Sequence, residues 1–387
     1  MKTIYMIIAL LASVACNTVG GQTKSLLADK DVLTAAEARQ YAQELCESWK
    51  DSVKKSLESA FNDKAITRGV YTMRLDWRIF GTKTADGRSL YISLHGGGGA
   101  PSRLNDSQWE NQKKLYQPAE GVYLCPRGIT DTWDLHFRPE SDAFYEEVIR
   151  MAVAFLDVNP DKVYLMGYSA GGDGVWRLAP RMADHWAAAS MMAGHPGDVS
   201  LLSLRNLPFM IWCGALDAAY NRNAECTKRI EEMAALHAAD PEGYVYEGHI
   251  VEGKEHWMSL EDAAAVPWMA KFTRNPFPKR VVWCQGDVAK TAFYWLGVPA
   301  DEAAKGKTVT AQVSGNTVEI LSCDYSALTV YLNDQLVDLD KPVRVVFQGN
   351  VLYEGKLTRS PATMRETLAE RGDVAYIFPA SVDVKQP

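Results

Sequence analysis

One short segment of the chain places a serine between two glycines. It is Gly167-Tyr-Ser-Ala-Gly171, which follows the apolar stretch Val163-Tyr-Leu-Met166 and precedes a predicted helix over residues 172–182. In a Gly-x-Ser-x-Gly turn between a strand and a helix, the glycines allow a sharp bend that presents the serine hydroxyl above the sheet edge. The pattern alone also arises by chance, so its position between a strand and a helix is what predicts Ser169 as a nucleophile.

A serine hydroxyl attacks efficiently only when a neighbouring base accepts its proton. His256 lies in a predicted loop after the last long strand, and we predict it as that base. His249 falls inside the strand itself and His237 lies on a polar helix. Both positions suit packing or solvation better than catalysis.

The base in turn needs a carboxylate that orients its ring. Asp217 follows the predicted strand at residues 209–213 and is the expected acid. Glu255 and Asp262 are close to the histidine in sequence, but adjacency does not orient an imidazole ring from behind. The chain order serine, acid, histidine also differs from the orders in chymotrypsin-type and subtilisin-type enzymes.

A glycine-rich loop, His95-Gly-Gly-Gly-Gly99, follows the predicted strand at residues 90–94. Its backbone N–H groups can approach a developing oxyanion, and the N–H after the nucleophile supplies a second donor. Gly97, Gly98 and Ala170 are therefore predicted near the oxyanion. A phosphate-binding loop is disfavoured because the Lys-Ser/Thr of such loops is absent.

Five further side chains are predicted to line a substrate pocket. Trp133 and His136 lie in the loop after the predicted strand at 122–125, and Trp176 lies on the helix that follows the nucleophile. His195 follows the next strand, and Trp257 follows the predicted base. Tryptophan rings at the mouth of a site suit sugar rings or aromatic acyl groups through stacking. The alternative for each tryptophan is simple packing in the core.

The order of elements predicts an α/β fold. Apolar strands alternate with helices over residues 65–274, which is typical of a mostly parallel sheet flanked by helices. After residue 275 the pattern changes to short strands and turns with a helix at 361–371, which indicates a small sandwich-like β-rich domain over 275–387. Before the sheet, residues 16–64 form an N-terminal segment with a helix that begins after a capping box at Thr34 and Glu37.

Residues 70–272 resemble the α/β-hydrolase superfamily in the serine turn, the glycine loop and the order of Ser169, Asp217 and His256. The resemblance is strongest to the branch of polyhydroxybutyrate-depolymerase-like esterases, dienelactone hydrolases and prolyl-oligopeptidase catalytic domains. It implies a serine hydrolase with these three residues as its triad and with Gly97, Gly98 and Ala170 near the oxyanion. The substrate is not fixed by it, and the β-rich tail lies outside it.

The first 15 residues read as a signal peptide, with Lys2 followed by a short apolar run that ends in small residues. Cys16 follows directly, as in a bacterial lipoprotein signal, so the mature protein is expected as a periplasmic or outer-surface lipoprotein or as a secreted protein. The lipid on Cys16 would be its one link to a membrane. Export also permits disulfides among the six other cysteines, although buried free thiols are the alternative for Cys125 and Cys213, which lie in apolar strands.

Composition excludes several classes of function. The net charge of −7 and the absence of basic blocks disfavour nucleic-acid binding. No Cys-x-x-Cys pair and no Cys/His cluster with metal-ligand spacing occurs, so neither a metal nor a cofactor is expected.

The sequence therefore predicts an exported serine hydrolase that cleaves a carboxylic ester through an acyl-enzyme. Its substrate would be a small-molecule or polysaccharide-linked ester, with a carbohydrate or phenolic acyl ester as the candidate. Two alternatives stay open: a serine exopeptidase of the prolyl-oligopeptidase type, and a non-catalytic protein that binds a carbohydrate or a partner.

Overall fold

The computed structural model describes residues 26–386. The predicted signal peptide and Cys16 therefore lie outside the described residues. The first long element is helix α1, Ala35–Asp63. The side chain of Thr34 accepts a hydrogen bond from the Glu37 N–H, and Glu37 bonds back to the Thr34 N–H, so the predicted capping box is present.

The centre of the molecule is an eight-stranded sheet. Its strands are β1 (Ala65–Arg68), β2 (Tyr71–Phe80), β3 (Arg88–Leu94), β4 (Gly121–Pro126), β5 (Val158–Tyr168), β6 (Ala188–Met192), β7 (Phe209–Gly214) and β8 (Tyr246–Val251). They are arranged in the order β1-β2-β4-β3-β5-β6-β7-β8. The six mutually parallel strands are β4, β3, β5, β6, β7 and β8, and β2 pairs antiparallel with β1 and β4.

Helices cover both faces of this sheet. They are α2 (Ser102–Leu115), α3 (Ser141–Phe155), α4 (Ala170–Arg181), α5 (Arg222–Ala239) and α6 (Ala265–Met269). One face of β3, with Leu90, Ile92 and Leu94, belongs to the core that includes α3 and α4. The opposite face, with Tyr91, belongs to a second core that includes α2 and α6. Burial on both faces explains why these strands read as continuous apolar runs.

The C-terminal part contains two further sheets and a helix. A five-stranded sheet has the order β16-β15-β13-β12-β9 and a four-stranded sheet the order β10-β11-β14-β17. Their elements are β9 (Arg280–Cys284), β10 (Ala292–Phe293), β11 (Leu296–Gly297), β12 (Thr308–Ser314), β13 (Thr317–Cys323), β14 (Ala327–Leu332), β15 (Val343–Phe347), β16 (Asn350–Gly355), α7 (Pro361–Arg371) and β17 (Ala380–Lys385). The prediction of an α/β fold followed by a β-rich region is confirmed.

Buried ion pairs join the β-rich part to the central sheet. The Arg274 guanidinium donates to the Asp161 carboxylate, to the backbone carbonyl of Asp184 and to the Asp373 carboxylate. Arg371 on α7 pairs with Asp184 at 2.5 Å. Apolar residues of both parts also share one core. The boundary near residue 275 stays a prediction.

Several details differ from the sequence expectations. The sequence also predicts a closing helix over residues 260–272, but the structure has a 3-10 turn, Glu261–Ala264, followed by the short α6, which contains Pro267. Strands β1, β16 and β17 and helix α2 are additional elements. The six cysteines of the described part are all free thiols. Within residues 26–386, no helix has the length and apolar character that a membrane span requires.

Candidate active site

The serine turn has the geometry of a nucleophile elbow. Ser169 lies between β5 and α4 with φ 59° and ψ −121°, a strained conformation for a residue with a side chain. Its N–H donates to the carbonyl of Met192 on the neighbouring strand at 2.9 Å, which holds the turn against the sheet. A Cβ at Gly167 or Gly171 would overlap a backbone carbonyl oxygen. Both glycines are therefore required by close packing.

The structure brings the three predicted catalytic side chains together. The Nε2 of His256 lies 2.9 Å from Ser169 Oγ, and its Nδ1 lies 2.7 Å from Asp217 Oδ2. A carboxylate can only accept, so Nδ1 carries the proton and the Nε2 lone pair faces the serine hydroxyl. Asp217 is 2% exposed, and its Oδ1 accepts a hydrogen bond from Arg222 at 3.3 Å. The acid is thus fixed from both sides, and the base is aligned for proton transfer.

Two of the three predicted oxyanion residues have suitable positions. Ala170 is the first residue of α4, so its N–H has no acceptor within the helix and lies at the positive end of the helix dipole. Gly97 lines the cleft next to Ser169. The prediction for Gly98 as a donor is wrong, because its N–H donates to the Asn105 side chain at 2.8 Å.

Asn105 on α2 organises the glycine loop. Besides accepting from Gly98, its amide donates to the carbonyl of Ala100 at 3.1 Å and to Asp131 at 2.8 Å. Asp131 is held by Arg127, a buried arginine that also pairs with Asp106. A loop of four glycines is intrinsically flexible, and this polar network fixes it.

His136 has a structural role, so its prediction as a pocket residue is wrong. The ring is fully buried, and its Nε2 donates to the carbonyl of His95 at 2.9 Å. His95 is buried as well and accepts the Gly128 N–H on its own Nε2 at 3.0 Å. Burial lowers the pKa of His136 to about 4 and holds the pKa of His95 well below its ordinary value. Both rings are neutral supports behind the glycine loop.

Two further pocket predictions are also wrong. Trp176 is fully buried on the sheet-facing side of α4, where its ring packs on Phe209 with centroids 5.0 Å apart. His195 does not line the cleft; its N–H donates to Asp173 at 2.6 Å, and its ring accepts the Gly197 N–H. It stabilises the loop after β6.

Ser169 opens into a cleft of about 690 Å³. Trp133 and Trp257 line this cleft as predicted, and their side chains are 55% and 50% exposed. Trp133 contacts the ring of Tyr220 edge-on, with centroids 6.1 Å apart. The cleft therefore has large aromatic surfaces beside a reactive hydroxyl, which is the arrangement of a binding site for a partly apolar ligand.

Sequence reasoning missed helix α2, which forms one wall of the cleft. The wall residues are Leu104, Gln108, Asn111, Gln112, Lys114 and Leu115. The available sequence signals were Pro101 before the helix and the two lysines in its last turn. Arg222 and Tyr168 were also missed as contributors to the cleft. Within the described residues, no group of three or more His, Cys, Asp or Glu side chains is placed to hold a metal ion.

Fold and site together define the class. An eight-stranded, mostly parallel sheet carries a serine on a strand–helix elbow, an acid after β7 and a histidine after β8. This is an α/β-hydrolase fold. The set of a hydroxyl, a base, an orienting carboxylate and backbone donors can perform acyl transfer.

Comparison with known proteins agrees with this class. No protein-family model matches the chain. The curated protein "Putative esterase NocK" of Nocardia uniformis subsp. tsuyamanensis is 31% identical over 118 residues, a match that covers 28% of this chain and 33% of that protein. The matched segment thus spans about a third of the relative.

Part of the chain is also similar to solved structures. A thermostable esterase has 14% identity and a TM-score of 0.45, covering 55% of this chain and 64% of its own. A mutant feruloyl esterase module from Clostridium thermocellum, complexed with sinapinate, has 14% identity and a TM-score of 0.38, covering 54% and 86%. A fluorophosphonate-binding serine hydrolase of Staphylococcus aureus has 12% identity and a TM-score of 0.38, covering 53% and 96%. TM-scores below 0.5 do not define a substrate.

Proposed function

We propose that the chain is a serine hydrolase that cleaves a carboxylic ester through an acyl-enzyme on Ser169. The observation that carries the proposal is the continuous hydrogen-bonded set from Ser169 Oγ through His256 to Asp217, with distances of 2.9 and 2.7 Å. A buried carboxylate behind a histidine whose free nitrogen faces a strained serine is the arrangement that activates a hydroxyl for attack.

The reaction begins when His256 Nε2 accepts the Ser169 proton and Oγ attacks the ester carbonyl carbon. Negative charge then develops on the carbonyl oxygen, where the N–H groups of Ala170 and Gly97 stabilise it. The intermediate collapses as His256 returns the proton to the alcohol oxygen, which leaves. Water, deprotonated by the same nitrogen, attacks the acyl carbon. The bond between that carbon and Ser169 Oγ then breaks, the acid leaves, and His256 returns the proton to Oγ. Asp217 stabilises the imidazolium in both halves.

The residues that line the cleft favour a substrate ester that carries a ring, either a phenolic acyl group or a sugar. Trp133 and Trp257 line the cleft and are about half exposed to solvent, and stacking on such surfaces suits flat rings. A small molecule or a polysaccharide-linked ester meets this requirement.

The charges in the cleft favour an ester over the peptide of an aminopeptidase. An enzyme that captures a free α-amino group needs a carboxylate in its cleft. The Lys and Arg side chains that line this cleft, within residues 26–386, are Lys114 and Arg222, and no lining residue is a carboxylate. A cationic substrate end would therefore find no carboxylate partner there.

The location is proposed from the N-terminus. The signal-like first 15 residues and Cys16 support export followed by lipid anchoring, or else release. A Cys16→Ser variant expressed in its bacterial host should leave the membrane fraction if the lipid is attached there. Unchanged fractionation of that variant would favour simple cleavage.

The test of the activity is hydrolysis of a substrate panel by wild type and Ser169→Ala. The panel contains p-nitrophenyl acetate, methyl ferulate, an acetylated polysaccharide and aminoacyl p-nitroanilides. We expect turnover of at least one ester by wild type only. Faster release from the anilides would indicate a serine exopeptidase instead of an esterase. Equal rates for wild type and Ser169→Ala would indicate a non-catalytic binding protein.

A further inference from the structure

Tyr168 precedes the nucleophile and contacts the loop that carries the base. Its hydroxyl donates to the backbone carbonyl of His256 at 2.6 Å and accepts the N–H of Met258 at 3.1 Å. One side chain thus bonds the backbone on both sides of Trp257. These contacts join two segments that lie 88 residues apart in the chain.

The ring of Tyr168 adds a second set of contacts to the same loop. It meets the His256 ring edge-on with centroids 5.9 Å apart, and it tilts against Trp257 at 5.7 Å. Tyr168 is 8% exposed, so the ring is enclosed between the elbow and the loop. Burial raises the pKa of its hydroxyl, which therefore stays neutral and can donate and accept at the same time.

Tyr168 is fixed by the central sheet, whereas the His256 side chain is not held in place by burial. Tyr168 is the last residue of β5 and pairs with Met192 of β6 in the centre of the sheet. The His256 side chain is 42% exposed, and the loop turns sharply at Ser259 and Leu260, which both have positive φ. An exposed ring on a loop needs a fixed point if its nitrogens are to face both the acid and the nucleophile.

We propose that Tyr168 is a positioning residue that fixes the loop of His256 to the nucleophile elbow, so that the base stays aligned with Ser169. The inference rests on the proposed serine hydrolase function. Its physical basis is that a misplacement of about 1 Å in a reacting group costs on the order of 100-fold in rate. Because Tyr168 ends β5 and Ser169 follows it directly in the chain, the anchor and the nucleophile are held together by the same turn.

The matched pair of variants is Tyr168→Phe and Tyr164→Phe. Tyr164 lies on the same strand and is also buried, and its hydroxyl donates to a backbone carbonyl, that of Phe272 at 2.9 Å. Both changes remove one oxygen from a buried tyrosine. Tyr168→Phe removes bonds to two backbone groups and Tyr164→Phe a bond to one, and Tyr164 does not contact the triad. Both variants should stay folded, whereas only Tyr168→Phe should lose catalysis.

The measurements are kcat, KM, the rate of fluorophosphonate labelling and Tm for both variants and wild type. For Tyr168→Phe we expect kcat and the labelling rate to fall about 10- to 100-fold with KM nearly unchanged. Tyr164→Phe should retain wild-type kcat. Equal kcat in the two variants, or an effect on KM alone, would overturn the positioning role.

A second measurement needs only the wild-type protein. Hydrogen exchange should show the Met258 amide protected, because its N–H is bonded to Tyr168, and rapid exchange of that amide would also overturn the proposal. Failure of the proposed function gives a different result: a wild-type protein that neither turns over esters nor reacts with a fluorophosphonate. An active wild type with a fully active Tyr168→Phe removes the positioning role alone.

Discussion

His256 lies between Ser169 and Asp217, with its Nε2 atom 2.9 Å from the serine Oγ and its Nδ1 atom 2.7 Å from the aspartate Oδ2. These residues are separated by 87 and 39 positions in the chain. Only the fold brings them together, at the carboxyl ends of parallel strands. Ligands of open α/β sheets bind at that edge as well.

Replacing the acid should abolish the alignment of the base. Asp217→Asn keeps the shape of the side chain but offers an amide that can hold the wrong tautomer of His256. We expect kcat to fall on the order of 10⁴-fold, the loss that the same change causes in the Ser-His-Asp triad of a chymotrypsin-type protease. The control is Asp198→Asn, which removes an exposed ion pair with Arg177 and should leave kcat unchanged. Retention of more than about a tenth of the activity by Asp217→Asn would exclude it as the triad acid.

The glycine loop should tolerate no side chain at Gly97. This residue has φ 107°, and an added Cβ would overlap the side-chain oxygen of Asn105. In Gly97→Ala the loop must shift, so an oxyanion donor is lost and kcat/KM should fall about 100- to 1,000-fold.

The matched control for the loop is Gly315→Ala. Gly315 also has positive φ, but nothing lies within 4 Å of its Cβ position, in the turn between β12 and β13. Gly315→Ala should lower the free energy of unfolding by about 1 kcal/mol and leave kcat/KM unchanged. If the two variants had equal kcat/KM, Gly97 would have no part in the site.

The exposed tryptophans should act on substrate binding and the buried one on folding. Trp133→Ala and Trp257→Ala should raise KM about 2- to 10-fold for methyl ferulate and leave KM unchanged for methyl butyrate, an ester without a ring. Trp176→Ala should instead lower the free energy of unfolding by about 3–5 kcal/mol, because the side chain is fully buried. Steady-state kinetics and urea unfolding distinguish the two effects. An equal rise in KM for both esters would contradict ring recognition.

Acid should destabilise the protein through His136. Its pKa is about 4 in the folded chain against an ordinary value of 6.5, so between these values the unfolded chain binds more protons. The stabilisation from the neutral ring is therefore complete above about pH 6.5 and is lost as pH falls towards 4. By linkage, this one group removes about 2 kcal/mol of the free energy of unfolding between pH 7 and pH 5.

Urea unfolding at both pH values measures the contribution of this histidine. In His136→Gln, whose amide can still donate to the His95 carbonyl, the difference between pH 7 and pH 5 should shrink by about that 2 kcal/mol. An identical difference in wild type and variant would mean that His136 is not neutral in the folded protein.

The sequence predicted those features that depend on local signals. The capping box at Thr34 and the serine turn involve residues three or four positions apart, so their geometry follows from the backbone nearby. The triad was predicted because each member follows a strand, and the carboxyl ends of parallel strands share one edge.

Features that depend on tertiary contacts could not be predicted in the same way. Helix α2 has only three large apolar residues. Its Asn105 and Gln112 are buried because they form hydrogen bonds to the glycine loop and to Ser93, and these partners are distant in the sequence. Trp176 and Trp257 both lie close to catalytic residues, yet one faces the sheet and the other the cleft. Strand β17 pairs with β14 between positions that are 48 to 58 residues apart in the chain, so no local turn signal indicates the pairing.

The nucleophile is the central claim, and covalent labelling tests it most directly. Wild type and Ser169→Ala are incubated with a fluorophosphonate, and intact mass spectrometry followed by peptide mapping locates the adduct. If Ser169 is the nucleophile, we expect one adduct on the peptide containing Ser169 in wild type and none in Ser169→Ala. An unlabelled wild type, or equal labelling of Ser169→Ala, would contradict it.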